Sequence, residues 1–276
     1  MTLNELSAAA ESFPLTPTFP VLFLGHGSPM NAIEENSFVA SFRALGKELP
    51  HPKAVLCISA HWYIKGTKVC QVAHPETIHD FYGFPKPLFD VQYPAPGSPS
   101  LAKETQLLLA PLVQASLTDE WGLDHGAWSV LKHVFPHADV PIVQLSIDYS
   151  LPPEMHFEIG KQLKALRQRG ILIVGSGNIV HNLGLVDFAR INDEGYGFDW
   201  AVEARAKTNQ WIMGGDIECL IHYQKQGRAL QLAAPTPEHY LPLLYVLGAA
   251  DKKESLTLFN DKLLAGSLSM TSVKIG

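Results

Sequence analysis

Four short runs of the chain are apolar at nearly every position: Val21–Leu24, Ala54–Ile58, Pro141–Ile147 and Ile171–Val174. Runs of this length, rich in Val, Ile and Leu, predict strands buried on both faces, because a half-exposed strand would alternate apolar and polar residues. Between them the apolar positions recur at helical spacing. That pattern predicts helices over Phe38–Leu49, Ser98–Leu117, Ser150–Arg169, Asp199–Met213 and Asp216–Gln226, and a very apolar helix carrying Leu241, Leu244 and Leu247. Ser98 offers an N-cap with Pro99 at the first helical position, and Gly170 offers a stop. Ser267–Ile275 alternates like a closing strand. Strands alternating with helices imply an α/β fold, a single domain whose mostly parallel central sheet is covered by helices on both faces.

Residues 1–18 read as an N-terminal lead-in, since Pro14, Pro17 and Pro20 discourage a continuous helix. Residues 19–276 read as one domain, with no internal repeat, charge block or Gly/Ser linker to divide them.

Composition narrows the function. The chain is 46% hydrophobic and 17% charged, which suits a large folded core. Its formal net charge of -6, with no dense Lys/Arg patch, argues against nucleic acid as a partner. The first basic residue is Arg43, so no positive signal-peptide region is expected. The longest strongly apolar stretch, Tyr240–Ala250, is too short to span a bilayer and contains Pro242, so no membrane association is expected. Cys57, Cys70 and Cys219 form no CxxC pair and suit a reducing cytoplasm. The residue type that changes the picture is histidine, with 12 in the chain.

In a doubly covered parallel sheet, ligands bind beyond the carboxyl ends of the strands. There the first run is followed by Gly25-His26-Gly27-Ser28, the second by Ser59-Ala60-His61-Trp62, and the fourth by Gly175-Ser176-Gly177-Asn178 with His181-Asn182 just beyond. Three strands thus deliver a histidine to one sheet edge, and glycines beside them give the backbone room to turn. Converging imidazoles suit Zn, Fe, Cu or Ni rather than Mg or Ca. His239, in Pro235-Thr236-Pro237-Glu238-His239, and His125, in Asp124-His125-Gly126, are two further candidates, although Asp124 would equally cap a helix. His79-Asp80-Phe81-Tyr82-Gly83-Phe84 is an aromatic loop that either roofs a pocket for a flat substrate or plugs the fold. His51, His74, His133, His137, His156 and His222 read as surface or packing residues. A dinucleotide fingerprint fails because Val180 stands where its third glycine belongs, and no HExxH or P-loop occurs.

Six of these segments, in order, resemble the class III extradiol ring-cleavage dioxygenases, and within them the bacterial and plant 4,5-DOPA extradiol branch. They are Leu24-Gly25-His26-Gly27-Ser28-Pro29, Ser59-Ala60-His61-Trp62, His79 to Pro85, Leu123-Asp124-His125-Gly126-Ala127-Trp128, Gly175-Ser176-Gly177 with His181-Asn182, and Pro235 to His239. The resemblance implies a non-haem Fe(II) enzyme that opens a catechol ring beside its hydroxyls and inserts both atoms of O2. His26 and His61 match the first two metal ligands. The wider class has a glutamate as third ligand, and this sequence departs from it with His239 in the matching region. Either His181 or His239 then completes the metal set, and so histidine-rich a site would also hold Zn(II). His125 is implied as acid/base, with His181 as ligand or second base. Phe81, Tyr82 and Trp128 would flank the ring, and Ser28 and Asn182 would make polar contacts. A zinc hydrolase on the same histidines and a non-enzymatic metal-binding relative are the alternatives. No pattern in the chain points to an oligomeric state.

Overall fold

The computed structural model describes residues 15–191 and 193–276. The part of the expected lead-in before residue 15 lies outside the described residues. The sheet has eight strands: β1 (Val21–Gly25), β2 (Ala54–Ile64), β3 (Lys68–Cys70), β4 (Ser116–Thr118), β5 (Ile142–Asp148), β6 (Ile171–Gly177), β7 (Leu256–Phe259) and, closing the chain, Ser272–Ile275. A two-stranded ladder of β8 (Leu263–Leu264) and β9 (Leu268–Ser269) precedes that last strand, β10. The order across the sheet is β4-β3-β5-β2-β6-β1-β10-β7. The four predicted strands form its parallel centre.

β1 explains why the apolar runs are uninterrupted. Val21 and Phe23 enter one core while Leu22 and Leu24 enter the other, because successive strand side chains point to opposite faces. Each such side chain removed from water stabilises the fold by about 1.5–3 kcal/mol. The first core is covered by α3 (Pro99–Leu109), α5 (Pro153–Leu163), α6 (Asp199–Gly214) and α9 (Leu241–Ala249). The second is covered by α1 (Ser37–Glu48) and α4 (His125–Val134). The short helices α2 (Lys86–Phe89), α7 (Ile217–Ile221) and α8 (Arg228–Ala233) complete the set among the described residues.

Several predicted boundaries move. The helix expected over Ser98–Leu117 starts on its Ser98 cap but ends at Leu109, since the chain turns there to form edge strand β4. The one expected over Ser150–Arg169 is α5 followed by a 3-10 turn over Lys164–Arg169, stopped by Gly170 in the left-handed region. Asp216–Gln226 divides into α7 and a 3-10 turn over Tyr223–Lys225. Ser267–Ile275 is not one strand but the successive pieces β9 and β10. In each case a tight turn or a short tertiary pairing overrides local periodicity.

The shift that matters for function is in β2. Its pairing with β5 is regular up to Ile58 opposite Leu145, then resumes at Tyr63 opposite Ile147. The intervening Ser59-Ala60-His61-Trp62 bulges out of the ladder. Bulges re-aim side chains at sheet edges, and this one carries His61. The apolar run predicts a strand ending at Ile58, before His61, whereas the strand continues through His61 to Ile64.

Candidate functional site

Five histidines gather at the carboxyl edge of β1, β2 and β6. His26 follows β1, where Gly27 (φ 60°) turns the chain and Ser28 caps a 3-10 turn by accepting from the Met30 N–H at 3.2 Å. His61 comes from the β2 bulge. His125 is the first residue of α4. Its position is fixed by Asp124, whose Oδ1 caps the helix at Ala127 N (3.1 Å) and accepts from Ser59 Oγ (2.6 Å), while Oδ2 accepts from Gln144 (2.7 Å). Asp124 is therefore the helix cap, and both of its carboxylate oxygens are engaged in these bonds.

His239 precedes α9 and is brought in by close backbone contact. A Cβ on Gly177 would lie 2.1 Å from the His239 carbonyl oxygen, so glycine at the end of β6 is what admits this segment. The Asn178 N–H then donates to the same carbonyl at 2.8 Å. The β6 glycines thus serve close packing rather than a sharp turn. His181, just beyond, is pinned by its backbone to Ala233 and Leu268.

The ring geometry is suited to a metal. Nε2 of His26 and Nε2 of His61 are 3.3 Å apart. Two imidazole nitrogens at about 2.0–2.1 Å from a shared tetrahedral ion would be separated by about that distance. The Ser176 hydroxyl gives its hydrogen to Gly126 O at 2.5 Å, so its oxygen accepts from His26 Nδ1–H at 3.0 Å. That assignment leaves the His26 Nε2 lone pair facing His61. Ligand atoms of His26, His61 and His125 lie within 4.8 Å of one another, and so do those of His181, Glu238 and His239. The His239 ring centre is 5.3 Å from that of His26 and 5.1 Å from that of His61. Its Nε2 is buried without a partner among the described residues, and its Nδ1 is 3.4 Å from Glu238.

Electrostatics keep the rings of His26, His125, His181 and His239 neutral. Burial, then the neighbouring imidazoles, push His26 and His239 well below the usual histidine range. Burial lowers His181 to about 4. It also lowers His125, against the opposing pull of Asp80. Burial would raise Asp80, but the imidazoles of His125 and His61 overcome it and hold the carboxyl well below its ordinary range.

The predicted aromatic residues are placed differently from one another. Phe81 meets His125 edge-on with ring centres 5.5 Å apart, and packs on Phe84 and Phe89. His79 bonds the Val91 carbonyl and joins this cluster, so it holds the loop rather than facing the metal-competent rings. Trp128 is fully buried behind it, with Nε1 donating to Ile78 O. Tyr82 is 92% exposed, and Asn182 donates its amide to Leu232 O, tying two loops together. Asp80, Ser176 and Gly126 also belong to the site, and the only sequence signal they carry is lying beside His79, Gly175 and His125.

A parallel α/β sheet with a histidine cluster at its carboxyl edge defines a metal-centred enzyme class. The family described as the catalytic LigB subunit of aromatic ring-opening dioxygenase matches residues 19–267, and the chain belongs to it. A 4,5-DOPA dioxygenase extradiol from Escherichia coli (strain K12) is 48% identical over 261 residues, covering 93% of this chain and 94% of its own. One from Portulaca grandiflora is 36% identical over 263 residues, covering 91% and 94%. The crystal structure of an uncharacterized protein from Escherichia coli K12 superposes with a TM-score of 0.79 at 44% identity, covering 94% of this chain and 100% of that one. The chain is an aromatic ring-opening dioxygenase of the extradiol type, which sets aside the hydrolase and the non-enzymatic readings. Among the described residues no helix is long and apolar enough to cross a membrane.

Proposed function

We propose that this enzyme uses Fe(II) to open a catechol of the DOPA type, with His26, His61 and His239 holding the metal and His125 and His181 moving protons. The observation that carries the reading is the buried Nε2 of His239, without a partner among the described residues, on a ring whose centre is 5.3 Å and 5.1 Å from those of His26 and His61, the pair whose Nε2 atoms face each other. A buried polar atom with no partner is costly, and a metal ion would satisfy it. Three imidazoles suit a first-row transition metal. Bound there, Fe(II) supplies the redox chemistry that lets a catecholate react with O2.

His181 is assigned a different role on geometric grounds. Its ring stacks on that of His239 with centres 3.5 Å apart and planes 7° from parallel. Lone pairs of two stacked rings lie in nearly parallel planes, which favours giving only one of the two rings to a given ion. A catechol binds as an anion, and a neutral His125 accepts its hydroxyl proton. His181, also neutral near pH 7, accepts the second hydroxyl proton, and the imidazolium so formed returns it to an oxygen as the ring opens. Phe81, edge-on to His125, flanks the aromatic ring. The DOPA-type side chain comes from what the similar proteins are named for. A reducing cytoplasm fits the free cysteines Cys57, Cys70 and Cys219.

The test is anaerobic loading with Fe(II), then DOPA and a panel of simpler catechols, with oxygen uptake and visible absorbance followed together. Oxygen consumption with a yellow ring-opened product, absent with Zn(II) and in His61→Ala, is expected. Metal binding without oxygen uptake on any catechol would overturn the substrate and iron assignments.

A further inference from the structure

We propose that Asp80 is a shared positioning residue, one carboxylate that sets the ring tautomers of both His61 and His125. The inference rests on the reading of His61 as a metal ligand and extends it to a residue outside the cluster. Asp80 lies in the loop between β3 and α2, far from both histidines in sequence. Its Oδ1 accepts the His125 backbone N–H at 2.9 Å and lies 3.0 Å from His125 Nδ1. Its Oδ2 lies 3.2 Å from His61 Nδ1. The backbone bond is well aligned, whereas the two ring contacts are close but off-line, so His125 Nδ1 has no aligned partner of its own. The His61 and His125 ring centres are only 3.8 Å apart, which is how one carboxylate reaches both.

The chemistry follows from what a carboxylate can do. An ionised Asp accepts and never donates. Both facing Nδ1 atoms therefore carry the hydrogen, and both Nε2 atoms keep a lone pair. For His61 that lone pair is the one 3.3 Å from His26 Nε2, where a metal would sit. For His125 it is the atom left to accept a proton. The wrong tautomer would turn an N–H toward the metal in the first case and remove the base in the second. Carboxylates behind ligating histidines commonly fix orientation in this way. Here the same group also holds the first backbone N–H of α4, so loop, ligand and base are aligned by a single side chain.

The replacement Asp80→Asn keeps size and shape. Its oxygen can stay with the His125 N–H, but its NH2 then faces His61 Nδ1, donor against donor. The experiment compares wild type, Asp80→Asn, Asp80→Glu and His61→Ala. Zn(II) affinity is read by competition with a chelator, and ring tautomers are read by 15N NMR of histidine-labelled, metal-free protein. Wild type should show Nδ1–H rings at both positions. Asp80→Asn should bind Zn(II) roughly 10–100-fold more weakly and shift His61 to the Nε2–H form, while Asp80→Glu recovers part of the affinity. Asp80→Asn affinity within twofold of wild type, or an Nε2–H ring at either position in wild type, overturns the proposal. Should Asp80→Asn not fold, the wild-type tautomers decide alone. Unchanged affinity in His61→Ala would overturn the metal-site reading itself, an outcome separate from failure of Asp80.

Discussion

His181 and His239 lie face to face, 3.5 Å between ring centres and 7° from parallel. Stacked imidazoles divide their labour, since lone pairs in nearly parallel planes favour giving only one of the two rings to a given ion. The expected outcome is a split between two substitutions. His239→Ala should weaken Zn(II) or Fe(II) binding by more than about 100-fold, because a ligand is worth more than its supporting partner. His181→Ala should keep the metal within a few-fold and lower kcat by roughly 10²–10⁴-fold. Equilibrium metal titration beside single-turnover kinetics distinguishes them, and loss of metal in His181→Ala would reverse the assignment.

Gly126 is small because His61 needs the space. A Cβ there would lie 2.5 Å from Ser59 Oγ and 2.7 Å from His61 Cδ2. Gly126→Ala should therefore cost about 1–3 kcal/mol of stability through overpacking. It should also displace the His61 ring and weaken metal binding by about tenfold or more. Urea unfolding and chelator competition on the same protein check both effects. A variant with wild-type affinity would mean that the bulge absorbs the extra methyl by moving Ser59 alone.

The sheet centre was legible in the sequence because burial on both faces leaves an unbroken apolar run, as in Val21–Leu24 and Ile171–Val174. The edge strands β4 and β7, and β3 beside β4, were not, since they are short and their pairing is decided by neighbours far along the chain. His26, His61 and His181 were legible for the same reason as the strands, because each lies just beyond a recognisable run, whereas His125 and His239 sit at helix starts and stood out only by their Asp-His-Gly and Pro-rich surroundings. Asp80 was not. Its meaning lies in touching His61 and His125 at once, and no periodicity encodes a contact across loops. Glycines told a partial story: Gly27 turns the chain as expected, whereas Gly126 and Gly177 are small to admit His61 and the His239 segment.

Arg167 should prove intolerant of replacement by lysine. Its fully buried guanidinium donates to Phe19 O and Ala249 O at 2.7 Å each, and grips Glu254 through both terminal nitrogens at 2.8 and 2.5 Å. Lysine has a point charge and no planar fork, so it cannot satisfy three separated acceptors. Arg167→Lys should lose at least about 3 kcal/mol, the scale of a broken buried ion pair, and lower Tm by roughly 5–10 °C. Calorimetry measures it directly. A Tm unchanged within a degree or two would show that the carbonyls at Phe19 and Ala249 find water instead.

His156 makes the fold sensitive to acid at a point remote from the histidine cluster. It is buried in α5 with Nδ1 at 2.8 Å from the Tyr245 hydroxyl, while its Nε2 has no hydrogen-bond partner among the described residues. Burial lowers it to about 4 from 6.5, against weaker upward pulls from Leu151 and Asp148. The native state therefore keeps the ring neutral to lower pH than the unfolded chain does. Between those two values the unfolded chain binds more protons, so stability is complete above about pH 6.5 and falls as pH drops toward 4. At pH 5 this one residue should account for roughly 2 kcal/mol of lost stability. His156→Gln, which cannot protonate, should be less stable at pH 7.5 yet lose about that much less on going to pH 5. Urea unfolding of both proteins at the two pH values isolates His156 from the other buried histidines, whose contribution cancels in the difference. Equal losses in the two proteins would mean that the native state admits a charged His156, with Tyr245 and Asp148 moving to receive it.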